Sequence, residues 1–293
     1  MVPTLNPRPR AGLDRVPAPA LFVVSGLTLY LGAAVAVGLF DRLGAPTVSW
    51  WRIVLAAVVL LAWRRPWRRA WTRRSLGVAA LFGVVLAAMN VAFYVGIDHL
   101  PLGVGVAIEF VGPVAVAAVT GRGWRERLAI VVAASGVLLL AGVTLSSGLP
   151  REDVIVGLGA LLAAAACWAG YIVLGKRVAR AGAGSGIDGL AVGMAAGALA
   201  FAPFFGSSTA EVVGDPGLLA FLLVVAVCSS VVPYVLDQVV LRRVGTATFA
   251  VLLALLPATA VVVGAVVLRQ LPTWPELVGL LLVSGAIAMT ARS

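Results

Sequence analysis

Residues 75–97, "SLGVAALFGVVLAAMNVAFYVGI", run for 23 positions without a charge. A helix that crosses the hydrocarbon core of a bilayer needs about 20 such residues. Runs of this length recur along the whole chain, and they do not alternate apolar and polar as barrel strands do. A chain built this way must bury helices in lipid. Composition agrees: 61% of residues are hydrophobic, 12% are charged and the mean hydropathy is +1.07. Soluble domains carry about 25% charged residues, so water cannot cover this protein. Because many apolar runs follow the first, that first run reads as a span and not as a cleaved signal peptide.

Breakers and charges punctuate the runs: "DRLGAP", "RRPWRRAWTRR", "HLP", "GRGWRER", "SGLPRED", "KRVARAGAGSG", "GDPG", "RRVG" and "RQLP". They predict ten transmembrane helices at 19–39, 46–63, 75–98, 100–120, 127–147, 154–175, 187–206, 217–241, 246–268 and 274–291. Residues 1–18, with four prolines and three arginines, read as a disordered cytoplasmic tail.

The net charge of +10 does not point to nucleic acid, because the arginines lie between apolar runs, where positive charge sets orientation. With the N-terminus inside, 18 of the 22 Lys and Arg fall in inner segments and three (Arg42, Arg151, Arg269) in outer ones. Both termini are then cytoplasmic, in a multi-pass protein of the plasma membrane. Cys167 and Cys228 lie inside apolar runs and read as small buried hydrophobes. No cofactor and no metal site is expected. One histidine, two scattered cysteines and no His-Glu-x-x-His argue against a membrane-embedded enzyme. His99 falls in an outer turn and reads as solvated.

At an offset of 144 residues Pro113 falls on Pro257, and "PLGVGVAIEFVGPVAVAAV" lies over "GTATFAVLLALLPATAVVV". The chain therefore divides into a first five-helix repeat, 19–147, and a second, 154–291. Five spans is an odd number, so the repeats are inverted. Such repeats are a signature of secondary transporters, with substrate held in a central cavity between the halves.

Within "PLGVGVAIEFVGP" (101–113) one carboxylate, Glu109, interrupts the apolar run. An acid at mid-membrane costs about 2.5–3.5 kcal/mol on insertion scales, so it is usually turned inward and functional. Glu109 and Asn90 lie at similar distances from the turn at Leu100–Pro101, about 14 Å below the outer edge at 1.5 Å per residue. Tyr94 sits one turn above Asn90 on the same face. Pro113 removes the hydrogen bond to the Glu109 carbonyl, Pro257 that to Leu253, and Pro233 that to Ser229, beside Ser230. These breaks either line a cavity or shape packing. Burial penalises a charged carboxylate, which suits a proton-coupled carrier.

Asp237 is a second candidate, with an ion pair to Arg242 or Arg243 at the cytoplasmic rim as the alternative. Tyr30, Trp168, Tyr171 and Tyr234 are candidate walls of a pocket. Arg52, behind Trp50 and Trp51, reads as an outer-interface residue in an aromatic belt. Gly189, Gly193 and Gly197 form a close-packing face, either within one chain or in a dimer.

The stretch "MNVAFYVGIDHLPLGVGVAIEFVGPVAVA" resembles the corresponding part of EamA-type transporters of the drug/metabolite transporter superfamily, and most of all the threonine/homoserine exporter branch. "ACWAGYIVLGKRV" and "VVPYVLDQVVLRRVGTATFAVLLALLPA" fit the same branch, and the similarity runs from about residue 20 to 290. The resemblance implies ten helices in two inverted five-helix repeats, a central cavity, and efflux of small metabolites such as amino acids. It supports Glu109, Asn90 and Asp237 as polar positions. The branch often has a glutamate before the proline of span nine, where this chain has Leu256. Export of a purine, a drug or a dipeptide is the alternative within transport. A membrane scaffold is the alternative of another class.

Overall fold

In the computed structural model, residues 16–120, 123–180, 186–241, 244 and 252–290 are described. The tail 1–15 lies outside them, as do Arg242, Arg243 and the first residues of the span expected at 246–268. Among the described residues the regular structure is all helical. The α-helices of eight or more residues are α1 (Ala18–Val37), α2 (Ala45–Arg64), α3 (Arg73–His99), α4 (Leu102–Glu109), α5 (Val111–Thr120) and α6 (Trp124–Leu145). They continue with α7 (Arg151–Arg180), α8 (Gly186–Phe205), α9 (Pro216–Ala226), α10 (Val232–Leu241), α11 (Leu256–Val267) and α12 (Trp274–Thr290). Seven stretches are long and apolar enough to cross a membrane, and Leu102–Val116, Leu256–Val267 and Trp274–Met289 are shorter apolar helices. Large apolar side chains such as Leu138, Leu199, Phe204, Val266 and Leu281 point outward, as lipid-facing residues must.

Local chemistry sets the ends. Thr72 caps α3: its hydroxyl accepts from the Ser75 N–H, and the Ser75 hydroxyl accepts from the Thr72 N–H, each at 3.0 Å. This reciprocal pairing satisfies two otherwise orphaned donors. Asp215 caps α9 by accepting from the Leu218 N–H at 3.0 Å, with Pro216 at the first helical position. The same carboxylate accepts from Arg42 Nη2 at 3.0 Å, while Arg42 Nε reaches Glu211 at 3.1 Å.

The Leu218 N–H first, and Arg42 second, hold the Asp215 carboxyl below the usual carboxylate range. The unfolded chain releases it to its ordinary value near 3.9. The contribution is therefore complete above about pH 4 and is lost as pH falls through the folded-state value. Asp215→Ala is expected to lower the melting temperature at pH 7 and to converge with wild type in strong acid. Melting curves in detergent across pH check this; a gap that does not vary with pH contradicts it.

Helix α3 is the central pillar, packed along α7 and α8. Its contact with α8 is backbone to backbone. A Cβ on Gly83 would overlap the Gly193 carbonyl, and one on Gly197 would overlap the Gly83 carbonyl. The glycine face of α8 is thus used inside the chain, with Gly189 set against Val178. At the start of α8, Asp188 is fully buried and faces Arg64 Nε at 2.8 Å and Arg69 Nε at 3.0 Å. Helices α6 and α12 pair in a second seam.

Three positions differ from the sequence reading. Trp50 and Trp51 are buried, and their indole N–H groups donate to the Ala198 carbonyl and to Ser208 Oγ, each at 2.9 Å. They pin α2 to the α8 segment instead of anchoring in an interface. Trp63, Trp67, Trp124 and Trp274 are the exposed indoles. His99 is held by Asp153, its Nδ1 3.0 Å from Oδ1, so the turn between α3 and α4 is tied to the first turn of α7.

Candidate functional site

The segment 102–120 is one helix interrupted at Phe110: α4 ends on Glu109 and α5 begins at Val111. Pro113 explains the interruption, since it has no N–H to offer the Glu109 carbonyl. The break sets the Glu109 carboxylate inside the bundle, where its residue is 9% exposed. Among the described residues it makes no hydrogen bond and no ion pair within 4.0 Å. It is close enough to Arg52 and to Cys167 to interact with each electrostatically.

Arg52, too, lies elsewhere than the sequence reading placed it. It is 2% exposed, not snorkelling at an interface. One guanidinium NH2 donates to Asn90 Oδ1, and the guanidinium carbon lies 4.6 Å from the centre of the Tyr94 ring. Asn90 is fixed in turn by donating from Nδ2 to the Leu86 carbonyl at 2.7 Å. The one-turn spacing of Asn90 and Tyr94 on α3 is what lets a single arginine from α2 engage both. A charge lying within span 46–63 and needing a partner was the available signal; its nearness to the two tryptophans pointed the other way.

The aromatic candidates gather around these charges. Tyr234 lies within electrostatic range of Arg52, Glu109 and Asp237. Tyr30 lies within electrostatic range of Glu109 and Asp237, and Tyr171 within range of Asp237. Tyr171 also stacks on Phe82 with ring centres 4.7 Å apart. Trp168 meets Phe110, the neighbour of Glu109, edge-on at 4.6 Å. Asp237 accepts from Ser25 Oγ at 2.8 Å, and Ser25 Oγ is also 3.3 Å from the Pro233 carbonyl. Ser25 carried no sequence signal, because the contact spans 212 positions.

The other prolines behave as local shapers. Pro233 follows a single turn of π-helix, Val227–Val231, in which Ser229 Oγ returns to the Val225 carbonyl at 2.6 Å. Gly32 of α1 lies so close to this turn that a Cβ there would fall 2.7 Å from Ser229 Cβ. Among the described residues, Ser230 Oγ, Ser49 Oγ, Tyr94 Oη and Arg52 Nε are buried without a partner. Pro257 opens α11, where Leu256 packs toward Gly26 of α1.

A cavity of about 150 Å³ opens elsewhere, lined by Pro101, Gly103, Gln270, Glu276 and neighbouring residues. None of the sequence candidates lines it. Gln270 closes one side by accepting from the Leu102 N–H at 3.0 Å.

An all-helical bundle with a lipid-facing apolar surface, and with an acid, a base and tyrosines buried at its middle, defines a multi-pass membrane transporter. The chain belongs to the EamA-like transporter family, whose pattern matches residues 155–292. It is 34% identical over 260 residues to the threonine/homoserine exporter RhtA of Escherichia coli (strain K12), covering 89% of this chain and 86% of that one. The exporter of the same name from Salmonella typhimurium (strain LT2) is 33% identical over the same lengths. These relatives are transporters, not enzymes. One solved crystal structure, at 16% identity and a TM-score of 0.57 over 93% of this chain and 96% of its own, shares the fold.

Proposed function

We propose that this protein exports small amino acids of the threonine and homoserine type across the plasma membrane, by proton antiport, with Glu109 as the coupling or binding acid. In this reading the seven long and three shorter apolar helices make ten spans in two inverted repeats, 19–147 and 154–291, with both termini cytoplasmic. The observation that carries it is the buried, directly unpaired Glu109 carboxylate at the centre of a chain 33–34% identical to named exporters over most of its length. A carboxylate kept in that setting without a partner is costly unless something else meets it. Asn90, Tyr94, Tyr234, Tyr30 and Asp237 support the same centre through the contacts described above, and Tyr171, Trp168 and Ser229 shape its walls.

The test is efflux of labelled threonine and homoserine from loaded cells that lack their own exporters. Expression of this chain is expected to speed efflux and to raise resistance to both amino acids, and dissipating the proton gradient is expected to remove the gain. Equal efflux with and without the protein overturns the reading.

A further inference from the structure

We infer that Arg52 anchors a substrate carboxylate opposite Glu109, which anchors the substrate ammonium, so that the site recognises α-amino acids as zwitterions. This rests on reading the same centre as the transport site.

Burying an arginine is as unfavourable as burying an acid. Two contacts compensate Arg52: one hydrogen bond to Asn90 and the face of the Tyr94 ring. Neither is anionic. Guanidinium presents five N–H donors in a planar fork matched to a carboxylate, and here Nε is buried with no acceptor. Buried donors in native proteins are almost always paired, so one left open calls for an explanation.

Glu109 supplies the rest of the argument. It senses the Arg52 charge, yet no ion pair within 4.0 Å forms between them. Closing such a pair in a low-dielectric interior gains attraction only where the geometry allows it, and here it stays open. Held apart, the two charges are instead complementary to a ligand that carries one of each. An α-amino acid does so: its carboxylate completes the fork of Arg52 and its ammonium meets Glu109. Among the described residues, the buried hydroxyls of Ser49, on α2, and of Ser230, in the π-turn packed against α2, also lack partners.

The experiment measures competition against labelled threonine on the purified full-length protein in lipid nanodiscs. The competitors are unlabelled threonine, threonine amide, which lacks the carboxylate, and 2,3-dihydroxybutyrate, which lacks the ammonium. Loss of one charge-assisted hydrogen-bonded partner is expected to weaken each analogue on the order of 10- to 100-fold in wild type. In Arg52→Gln, threonine is expected to weaken by a similar factor while the amide does not, so that the ratio between them falls to about one; Arg52→Lys restores part of it. In Glu109→Gln the discrimination against the des-amino acid collapses and that against the amide survives. If wild type binds the amide as tightly as threonine, the inference falls, and that measurement needs no variant to fold. If Arg52→Gln keeps its preference for threonine over the amide, it also falls. Either result leaves the export reading intact when threonine is still transported. Failure of wild type to bind threonine overturns both.

Discussion

Glu109→Gln is expected to reach the membrane at wild-type level and to lose threonine efflux by roughly 100-fold, the worth of a strong charge-assisted contact. Glutamine keeps the volume and leaves helix α4 intact, so the bundle has no reason to come apart; removing a buried charge that lacks a direct partner relieves a desolvation cost. What it cannot do is carry a negative charge or release a proton. Glu109→Asp keeps both on a shorter arm and is expected to fall between the two. Labelled efflux, normalised to protein measured by fluorescence in the membrane fraction, checks the series. Efflux from the glutamine variant at the wild-type rate would remove Glu109 from the mechanism.

Gly83→Ala is expected to cost about 3 kcal/mol or more, at the top of the range for overpacking. The added methyl meets the Gly193 carbonyl, which is backbone and cannot rotate away as a side chain would. Close approach of helix backbones through small residues is how membrane helices gain packing contacts without a hydrophobic drive between them. Because α3 also carries Asn90 and Tyr94 and packs along α7, displacing it disturbs the centre as well as the seam. Gly77→Ala, on the same helix with nothing within 4 Å of its Cβ position, is the control, and there alanine's better helix propensity is expected to help slightly. Size-exclusion profiles and melting temperatures in detergent separate the two. A wild-type melting temperature for Gly83→Ala would show that the α3–α8 seam yields.

Span positions were legible because hydrophobic length and breaker residues act locally. The run 75–97 lies inside Arg73–His99, and the run at 187–206 coincides with Gly186–Phe205. The pairing of Asn90 with Tyr94 was legible too, because it depends only on helix periodicity. Helix rotation was not. Arg52 and the indoles of Trp50 and Trp51 have the composition of an interfacial belt, and only the contacts of α2 with α3 and α8 turn them inward. Ser25 with Asp237, and Asp188 with Arg64 and Arg69, join residues more than a hundred positions apart, and no local pattern announces such contacts. Leu256, before Pro257, lies against Gly26 of α1, a contact across more than two hundred positions that no local pattern shows.

The interruption between α4 and α5 also sets what bending can do. Sharp bends in helices sit where the i→i−4 ladder is interrupted, and a proline is the usual cause. Glu109 stands at the fulcrum, and the fulcrum of a lever travels least. If the two arms tilt, the carboxylate stays nearly where it is while the helix ends on either side swing. In the proposed carrier, access would then change around a nearly stationary charge.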